Sequence, residues 1–512
     1  MDGLTYYRPE WTCGRYNSDK HVALMYNLLA GYSFFFESYS ADVIGQVLSV
    51  SRNDMVDVNK TADLTGIAQE SIIEFFHILS DKGLLVNCIP SKNDIKELRK
   101  HLAKSKRESS NFIKKTTTEK LPFENSSAEQ DYYNAVENEG IVTSVMFELT
   151  YNCSEQCIHC YNPGATRNDK EQSHRADRQE LQLDDYKRII DDLCAHGLVK
   201  VCLSGGDPFS KPIVWDIIEY LYQKEVAFDV FTNGQRIVDN VDSLANYYPR
   251  LVGVSVYSGV AADHDAITRV PGSWDKSIKV VERLSELAVP MNIKCCVMQP
   301  NLHSYYLVNE IAQKYGAQPQ FEINISDSID GDKCARNLRL TEEQLQVVLR
   351  DDSTPMYVGP EAPNYGGQQK KMDAPPCGAG TTTFNITPEG NIQPCCAFPL
   401  VFGNLKHNNL DEILYNNDTL FKWRQCTLAN NEECGKHDYC DYCNLCVGLA
   451  YIEHGDYNKP SENCCYMAQI RQQLAHKMMR GYDPLHGKEF VAALQSLPKT
   501  KAILQRTNNT KG

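Results

Sequence analysis

Short apolar runs alternate with segments of helical periodicity between residues 141 and 326, and this pattern predicts the central fold. The predicted strands are TSVMFELT, KVCLS, FDVFT, LVGVSVY, NIKCCVM and FEINI. Segments with apolar residues at helical spacing, such as LDDYKRIIDDLCAHG and WDKSIKVVERLSELA, lie between them. Repeated strand–helix units favour an α/β protein with a parallel sheet. Six units favour a partial (β/α)6 TIM-type barrel over a complete eight-fold barrel.

Residues 1–90 have a different pattern, which predicts a separate small domain. GYSFFFESYS reads as a strand, and ADVIGQVLSVS follows it. LTGIAQESIIEFFHILSDKG has apolar residues at helical spacing and a glycine stop, Gly83, before the short strand LLVN. Helices followed by a short strand suggest a winged-helix domain. Residues 91–140 are polar and charged, which predicts a linker that contains one helix.

The remainder of the chain divides into three segments. Residues 327–376 are a polar connecting region with one predicted helix at TEEQLQVVLR. Residues 377–470 are rich in cysteine and contain short predicted strands in TTTFNITPEGNIQPCC. Residues 471–512 form a polar tail with a predicted helix at FVAALQSL.

Composition and charge exclude some classes of function. The formal net charge of the 512 residues is -14, which argues against general nucleic-acid binding because that function needs a basic surface. The longest apolar runs are of strand length and too short to span a membrane. The N-terminal sequence MDGLTYYRPEWTCGRY lacks a basic stretch followed by an apolar one, so we expect no signal peptide and a cytoplasmic location.

The distribution of the 20 cysteines indicates metal chemistry. Disulfides explain them poorly in a reducing compartment. Ten lie between Cys377 and Cys465, and three more, Cys153, Cys157 and Cys160, lie within one short segment. Clustered thiols in a reducing compartment are typical of metal or iron–sulfur ligands.

The segment ELTYNCSEQCIHCYN follows the first predicted barrel strand directly. Active sites of such folds gather on loops at the carboxyl ends of the strands. The C-x3-C-x2-C spacing supplies three thiolates, so a four-iron cluster held here keeps one iron open for a small molecule. A structural zinc needs a fourth protein ligand. His159 is a candidate, but it lies between two of the cysteines and has difficulty in reaching the same ion.

Together, these motifs resemble the signature of the radical S-adenosylmethionine (SAM) superfamily. LSGGDPF after the second strand resembles its GGE-type motif, and FTNG and VSVYSG match strand-end positions that line the SAM site. The resemblance implies that Cys153, Cys157 and Cys160 hold a [4Fe–4S] cluster that binds SAM. It also implies that the Asp207 carboxylate, with the adjacent backbone, meets the SAM ammonium group. The implied SAM contacts are Gly205, Gly206, Asp207, Asn233, Ser255 and Tyr257.

The C-terminal cysteines resemble the SPASM domain, an extension of radical SAM peptide maturases that binds two auxiliary [4Fe–4S] clusters. The central spacing, C-x7-C-x5-C-x2-C-x2-C, departs from the usual C-x2-C-x5-C-x3-C. Carried over from the family, Cys377, Cys395 and Cys443 hold the first auxiliary cluster, whose fourth iron site could be open to a substrate thiolate. Cys426, Cys434, Cys440 and Cys465 hold the second. Cys396, Cys446 and Cys464 are spare thiols or substitute for a neighbour. A zinc ribbon is the alternative.

A small winged-helix domain before these two domains is similar to the RiPP recognition element of enzymes that modify ribosomally made peptides. The resemblance implies that this domain binds the leader of a precursor peptide through a sheet edge. It also implies three [4Fe–4S] clusters in all, SAM as cofactor, and an electron donor such as flavodoxin or ferredoxin. No nucleic-acid or membrane partner is expected.

The stretches CGAG, ITPEGNIQPC, and FGNL through ILYNN are closest to sactisynthase-type enzymes, which join a cysteine sulfur to a carbon of another residue. Three alternatives remain open. The same scaffold supports carbon–carbon cross-linking, and it supports oxidation of a serine or cysteine in a sulfatase. From a different class, a winged helix with zinc ribbons would be a zinc-dependent transcriptional regulator. The acidic charge and the cysteine loop at the end of the first strand argue against that regulator.

Overall fold

The computed structural model describes residues 5–113, 126–137, 140–162, 179–354, 356–359, 372–431 and 433–498. The 14 strands are β1 Tyr6–Tyr7, β2 Thr12–Asn17, β3 Val22–Asn27, β4 Tyr32–Glu37, β5 Met55–Val56, β6 Ser144–Glu148, β7 Lys200–Ser204, β8 Ala227–Thr232, β9 Leu251–Ser255, β10 Met291–Cys296, β11 Gln318–Glu322, β12 Thr383–Ile386, β13 Asn391–Gln393 and β14 Gly403–Asn404. The α-helices are α1 Ser38–Ser49, α2 Val58–Thr65, α3 Gln69–Asp81, α4 Lys92–Ile113, α5 Ser126–Val136, α6 Leu183–Ala195, α7 Val214–Gln223, α8 Val241–Ala245, α9 Ala261–Thr268, α10 Ser273–Glu286, α11 Leu307–Tyr315, α12 Glu342–Val348, α13 Leu410–Asn416, α14 Asp418–Arg424, α15 Val447–His454, α16 Glu462–Met478 and α17 Gly487–Ser496.

A nine-stranded sheet forms the centre of the molecule, in the order β11-β10-β9-β8-β7-β6-β12-β13-β14. Strands β6 to β11 are parallel to their neighbours, and helices connect them. The α/β class and the six expected strands of the barrel are therefore confirmed. On the other side, β12 of the cysteine-rich segment pairs with β6 in parallel, so this segment extends the same sheet. The paired strands describe an open sheet rather than a closed ring.

Apolar and polar side chains alternate along the strands, so one face of the sheet is apolar and the other is polar. Val145 and Phe147 of β6 are buried against the surrounding helices, where Phe147 packs edge-on to Tyr186 of α6. Because neighbouring strand residues point to opposite faces, Met146 and Glu148 point into the barrel. Aspartate, lysine and cysteine side chains on the neighbouring strands also face inward. The interior is therefore polar, although the sequence runs read as almost continuously apolar.

The structure does not confirm the winged helix that we expected for the N-terminal domain. Strands β2, β3 and β4 form an antiparallel three-stranded sheet, and helices α1, α2 and α3 follow it. The predicted run GYSFFFESYS contains β4, but β2 and β3 were not predicted. The predicted strand LLVN makes only an isolated bridge between Val86 and Tyr7. One face of the sheet packs on α1 and α3 through Met25, Ile44 and Phe76.

The opposite face of this sheet packs against the amino-terminal end of the barrel. Trp11 and Leu24 share a buried cluster with Val199 and Tyr248, which precede β7 and β9. Arg15 Nε donates to the Leu198 carbonyl at 2.7 Å. An apolar cluster shared by two segments excludes water from both, so the domain is part of the same packed body as the barrel.

The segment that we expected to be a linker with one helix forms helices α4 and α5 instead, with residues 114–125 outside the described residues. Arg99 of α4 is buried and donates to the Leu287 and Ala245 carbonyls at 2.8 and 2.7 Å. Glu129 of α5 accepts from Lys200 at 2.5 Å and from Arg250 at 3.0 Å. Its basic and acidic side chains bond to the barrel, which explains why a polar composition does not mark a free linker here.

The predicted helices at TEEQLQVVLR and FVAALQSL are present as α12 and α17. Phe490 of α17 packs edge-on against Tyr305 and Tyr306, so the helix in the predicted tail packs against the barrel. Within the described part of the chain, every helix falls short of the length and apolar character needed to cross a bilayer.

Candidate functional site

The loop with Cys153, Cys157 and Cys160 leaves the carboxyl end of β6, as predicted. Its backbone is fixed by hydrogen bonds from Gln156 N to the Thr268 carbonyl at 2.9 Å and from Ile158 N to the Ile267 carbonyl at 3.0 Å. Ile158 is buried in a small apolar cluster with Ile267 and Met298, which anchors the inner side of the loop. Cys153 is exposed, and Cys157 and Cys160 are half-buried.

The GGD segment after β7 packs directly on this loop. Gly206 N donates to the Thr150 carbonyl at 2.6 Å, and Asp207 N donates to the Asn152 carbonyl at 3.0 Å. Gly205 has a φ of +122°, and a Cβ there would lie 2.4 Å from the Thr150 carbonyl oxygen. A Cβ on Gly206 would lie 2.4 Å from the Asn152 oxygen. Both glycines therefore allow two backbone loops to touch, which any side chain would prevent.

Asp207 is fully buried, and its carboxylate is engaged within the protein. Oδ2 accepts from Thr232 Oγ1 at 2.7 Å and from Asn233 N at 3.0 Å, while Oδ1 accepts from Phe209 N at 3.0 Å. Burial raises the pKa of this carboxyl, although these three donors oppose the shift. Asp207 thus ties the end of β7 to the end of β8, and its predicted contact with the SAM ammonium group stays a prediction.

Asn233 links the end of β8 to the cysteine loop. Its side-chain Nδ2 donates to Cys153 Sγ at 3.2 Å. Ser255 lies at the end of β9, and Tyr257 lies two residues beyond it, under the loop. The Tyr257 ring contacts the His159 ring edge-on at 4.6 Å and stacks on His264 at 5.5 Å. The six predicted SAM contacts therefore lie at the same edge of the sheet as the three cysteines.

The donor set at this edge fits an iron–sulfur cluster. Burial and the neighbouring charge of Glu155 raise the pKa of Cys157 well above its usual range, so bound cations are needed to stabilise the thiolate. Among the residues that the structure describes, no three His, Cys, Asp or Glu side chains are placed to hold a single metal ion. A cluster that binds each thiolate on a different iron does not need them to converge on one point.

A first group of thiols in the C-terminal domain surrounds Cys395. Burial raises the pKa of Cys395, and Cys396, Cys446 and Cys377 raise it further through their charge. Charge from Cys464 and Cys377 likewise raises the pKa of Cys446, after burial, to about 11. Cys446 therefore lies near Cys377 and Cys395, and the assignment of Cys443 to this group stays a prediction. Cys446 directly precedes α15, and a 3-10 helix, Asp438–Tyr442, lies before it.

A second group of thiols lines a cavity of about 420 Å³. Its four cysteines are Cys434, Cys440, Cys443 and Cys465. Cys426, which the sequence assigned to this group, lies outside the lining, and its Sγ donates to Asn458 Oδ1 at 3.6 Å instead. Cys426 comes before the loop that surrounds the cavity. The irregular spacing of the cysteines therefore explains why Cys426 lies outside the lining. The predicted members Cys434, Cys440 and Cys465 are brought together.

The sequence reasoning missed polar residues inside the barrel. Glu148 ends β6 and is 1% exposed. The charge of Cys396, burial and the charge of Glu148 raise the pKa of Tyr161 on the cysteine loop. Burial and then the charge of Glu148 raise the pKa of Cys396 in the C-terminal domain, so these three residues lie near one another. Lys294 of β10 lies over the Phe231 ring, and burial lowers its pKa. The signal for Glu148 was available, since it is a carboxylate at the end of a buried strand, beside the cysteine loop.

Comparison with protein families finds two matching domains. Residues 147–302 match the radical SAM superfamily, and residues 377–447 match SPASM, an iron–sulfur cluster-binding domain. The first match spans the cysteine loop, the GGD segment and the ends of β8 and β9. The second spans both groups of C-terminal thiols except Cys464 and Cys465.

Individual relatives cover most of the chain. The antilisterial bacteriocin subtilosin biosynthesis protein AlbA of Bacillus subtilis is 26% identical over 64% of this chain and 71% of its own length. An AdoMet-dependent heme synthase of Methanosarcina barkeri is 24% identical over 63% of this chain and 96% of its own. The crystal structure of Streptococcus suis SuiB bound to precursor peptide SuiA has a TM-score of 0.53 and 15% identity, and the similarity covers 90% of this chain and 99% of SuiB. At this identity the SuiB structure supports the fold alone.

Proposed function

Since the chain belongs to the radical SAM superfamily and carries a SPASM domain, we propose that it modifies a ribosomally made precursor peptide by cross-linking two of its residues. The observation that carries this proposal is the contact of the cysteine loop with the GGD segment at the open, polar edge of the barrel. The heme synthase among the relatives means that family membership alone leaves the substrate class open. The N-terminal domain and the similarity to AlbA, a bacteriocin biosynthesis protein, favour a peptide.

In this proposal Cys153, Cys157 and Cys160 hold the cluster, and the ends of β7, β8 and β9 hold SAM. When bound, the reduced cluster and SAM supply a 5′-deoxyadenosyl radical that removes a hydrogen atom from the substrate. The protein's own contribution is placement. Asp207 fixes the ends of β7 and β8, Asn233 Nδ2 donates to Cys153, and the buried network beneath keeps these loops in one geometry.

For the auxiliary clusters, we propose ligands that follow the grouping of the thiols in space. Cys377, Cys395 and Cys446 belong to the first cluster, and Cys464, whose charge acts on Cys446, is a fourth thiol in reach of the same region. The second cluster takes Cys434, Cys440, Cys443 and Cys465, which line one cavity. A total of three clusters follows from this assignment.

The free edge of β4 is the proposed site for the leader peptide. Among the described residues, β4 pairs with β3 only. Phe34 and Phe36 on this strand are half-buried, and Phe36 packs edge-on against Phe75 of α3 at 6.0 Å. A strand edge beside half-buried aromatic side chains suits an added peptide strand, since the backbone gives affinity and side-chain contacts give specificity.

We propose a thioether between a cysteine sulfur and a carbon as the link, because CGAG and ITPEGNIQPC resemble sactisynthase-type enzymes. Carbon–carbon cross-linking on the same scaffold is the second candidate. Both place a radical on a substrate carbon at the barrel mouth, but only the thioether consumes a thiol. The presence or loss of the substrate thiol therefore distinguishes thioether formation from carbon–carbon cross-linking.

Co-expression with the cognate precursor, a short peptide that contains cysteine, tests this function. We expect the product to lose two hydrogens per link and to react with no thiol reagent at the linked cysteine, as measured by mass spectrometry. A loss of two hydrogens with every thiol still reactive would identify a carbon–carbon link. An unmodified peptide, with the protein shown to contain iron and to cleave SAM, would contradict the cross-linking function.

A further inference from the structure

A half-buried lysine inside the barrel has no role in the site described above. Lys294 lies on β10, and its neighbours in the chain, Ile293 and Cys295, are buried in the core between the sheet and the helices. Because successive strand residues point to opposite faces, Lys294 points into the barrel. Within the described part of the chain, its ammonium group forms no hydrogen bond and no ion pair. An enclosed cation without a counter-charge is costly, so this lysine needs an explanation.

The barrel is open to solvent beside this lysine. Lys294 pairs with Ser255 of β9 and with Gln320 of β11, so the three side chains share the inner face of the sheet. Lys294 and Ser255 are half-buried, whereas Gln320 and Glu322 of the edge strand are exposed. Exposed side chains on the inner face of the edge strand mean that solvent enters the barrel there. A ligand that enters along β11 can therefore reach Lys294.

Two residues of the neighbouring strands fix the direction of the lysine side chain. Lys294 Nζ lies 2.9 Å from the centre of the Phe231 ring of β8. A ring face attracts an ammonium group but leaves its other hydrogens available to an acceptor. Gly253 of β9 lies between these two residues, and a Cβ there would be 2.8 Å from Phe231 Cδ1 and 3.0 Å from Lys294 Cε. The absence of a side chain at Gly253 thus provides the space in which the lysine crosses β9 to the ring.

The carboxylates that face the interior have other partners. Asp229 forms a bidentate ion pair with the arginine that precedes β9. Asp207 and Glu148 accept hydrogen bonds from neighbouring side chains, and Glu322 accepts from a backbone N–H two residues further along at 2.6 Å. Burial lowers the pKa of Lys294, and charges on neighbouring strands oppose this effect only in part. A carboxylate brought in by a ligand would therefore supply the missing counter-charge.

We propose that Lys294 binds a carboxylate of the precursor peptide, that of an aspartate or glutamate at or beside a residue that is cross-linked. The proposal rests on the peptide function above. An ion pair enclosed by the barrel is stronger than one at the surface, and it fixes the position of both partners. The pair would hold the modified segment against β10, beside the strand ends to which SAM is assigned. Lys294 is then a substrate-binding residue that selects an acidic peptide segment.

The carboxylate of SAM is the other carboxylate expected in the barrel, and Ser255, a predicted SAM contact, pairs with Lys294. Two features favour the peptide. Lys294 lies on β10, beyond the strands β6 to β9 whose ends are assigned to the cluster and SAM. It also lies beside the exposed edge strand, where an extended chain can enter. The experiment below measures the two ligands separately.

Lys294→Met tests the assignment, because methionine keeps an unbranched apolar stem but removes the charge. The probe is the cognate precursor, with each Asp and Glu of its modified segment changed in turn to Asn or Gln. With the unchanged precursor, we expect Lys294→Met to lower kcat/KM for cross-linking about 100-fold, as for loss of one partner of an enclosed charge pair. One amide precursor should lower the wild-type value as much. The two changes together should lower it little further, since both remove the same pair.

Matched measurements separate substrate binding from a general loss of structure. Lys279→Met removes an exposed lysine of α10 and should retain the wild-type kcat/KM. Lys294→Met should bind SAM and cleave it without peptide as the wild type does, which also shows that the variant folds. Its equilibrium affinity for the precursor without its leader should fall at least tenfold. Lys294→Arg, which keeps the charge, should recover part of both losses. If Lys294→Met fails to fold, Lys294→Gln replaces it with the same expected loss.

Four results would overturn the proposal. The first is cross-linking by Lys294→Met within twofold of the wild type. The second is a loss of the same size with every amide precursor as with the unchanged one. The third is a fall in SAM affinity that matches the fall in kcat/KM, which would assign the lysine to the SAM carboxylate. The fourth is a cognate precursor without any acidic residue in its modified segment. Failure of the proposed function is read separately, from wild-type protein that cleaves SAM but leaves the precursor unmodified.

Discussion

Two glycines after β7 determine how closely the proposed SAM and cluster loops approach. Gly206 N lies 2.6 Å from the Thr150 carbonyl oxygen, and the space around its Cα is filled by the backbone of residues 151 and 152. Backbone atoms cannot rotate away as a side chain can, so a methyl group here must push the loops apart. The geometry of the site therefore depends on Gly206, which has no side chain and takes no part in the reaction.

Gly206→Ala should separate these loops without unfolding the barrel. The added Cβ would lie 2.4 Å from the Asn152 oxygen and 2.7 Å from the Tyr151 oxygen. We expect SAM affinity to fall at least tenfold in equilibrium binding to the reconstituted protein. Gly66→Ala is the control, because its φ of +71° is unfavourable but nothing lies within 4 Å of its Cβ. It should cost about 1 kcal/mol of stability and leave SAM binding unchanged. Equal SAM affinity in both variants would contradict the packing argument.

At the scale of the elements, β4 pairs on one side with β3, and no other strand of the described residues pairs with it. Ser38 N donates to the His21 carbonyl, so in antiparallel pairing alternate residues of β4, including Phe36 and Phe34, bond to β3. The intervening N–H groups, including that of Phe35, point away from the sheet. These are the groups that an added peptide strand would bond.

Hydrogen exchange of the full-length protein tests this edge. On addition of the precursor peptide, we expect slower exchange in residues 32–37, because the Phe35 amide gains an acceptor. The matched control is β2, Thr12–Asn17, at the other edge of the same sheet, where exchange should not change. Protection confined to β2, or absent from both strands while the peptide is bound, would place the leader elsewhere.

For the whole molecule, the main consequence is that the N-terminal domain is fused to the barrel by a shared core. Trp11 and Leu24 pack with Val199 and Tyr248, so removal of residues 1–90 would expose apolar surface of the barrel. Deletion of residues 1–90 would therefore lower the stability of the protein as well as leader binding, and the two effects could not be told apart. Helix α4 lies across the same junction, and its buried guanidinium, that of Arg99, stacks over the Tyr248 ring at 5.1 Å.

Arg99→Ala measures how much this junction stabilises the protein. The substitution removes the buried guanidinium that donates to the Leu287 and Ala245 carbonyls, which should cost about 2–3 kcal/mol in urea unfolding. Lys100→Ala, on the next residue, is the control. Lys100 is exposed and pairs only with exposed Glu97 at 2.6 Å, so its loss should cost less than about 0.5 kcal/mol. Equal effects would mean that α4 is not a structural part of the junction.

The sequence predicted the barrel strands because each is a distinct apolar run between helices with clear periodicity. It did not predict β2, TCGRYN, whose two apolar positions, Cys13 and Tyr16, are three residues apart and give no alternation, or the role of β12, which joins the sheet from far along the chain. The three cysteines of the first loop were identifiable because they are local. The grouping of Cys443, Cys446 and Cys426 was not, because their partners come from distant segments and only the folded chain brings them together.

The most direct test of the account is SAM cleavage by the anaerobically reconstituted protein in which Cys153, Cys157 and Cys160 are all changed to Ala. We predict that the wild type forms 5′-deoxyadenosine under reducing conditions, and that the triple variant forms none while it retains the iron of its C-terminal thiols. Cys88→Ala, which removes an exposed cysteine of the N-terminal domain, should cleave SAM as the wild type does. Deoxyadenosine formation by the triple variant at the wild-type rate would contradict the assignment of this loop and the function built on it.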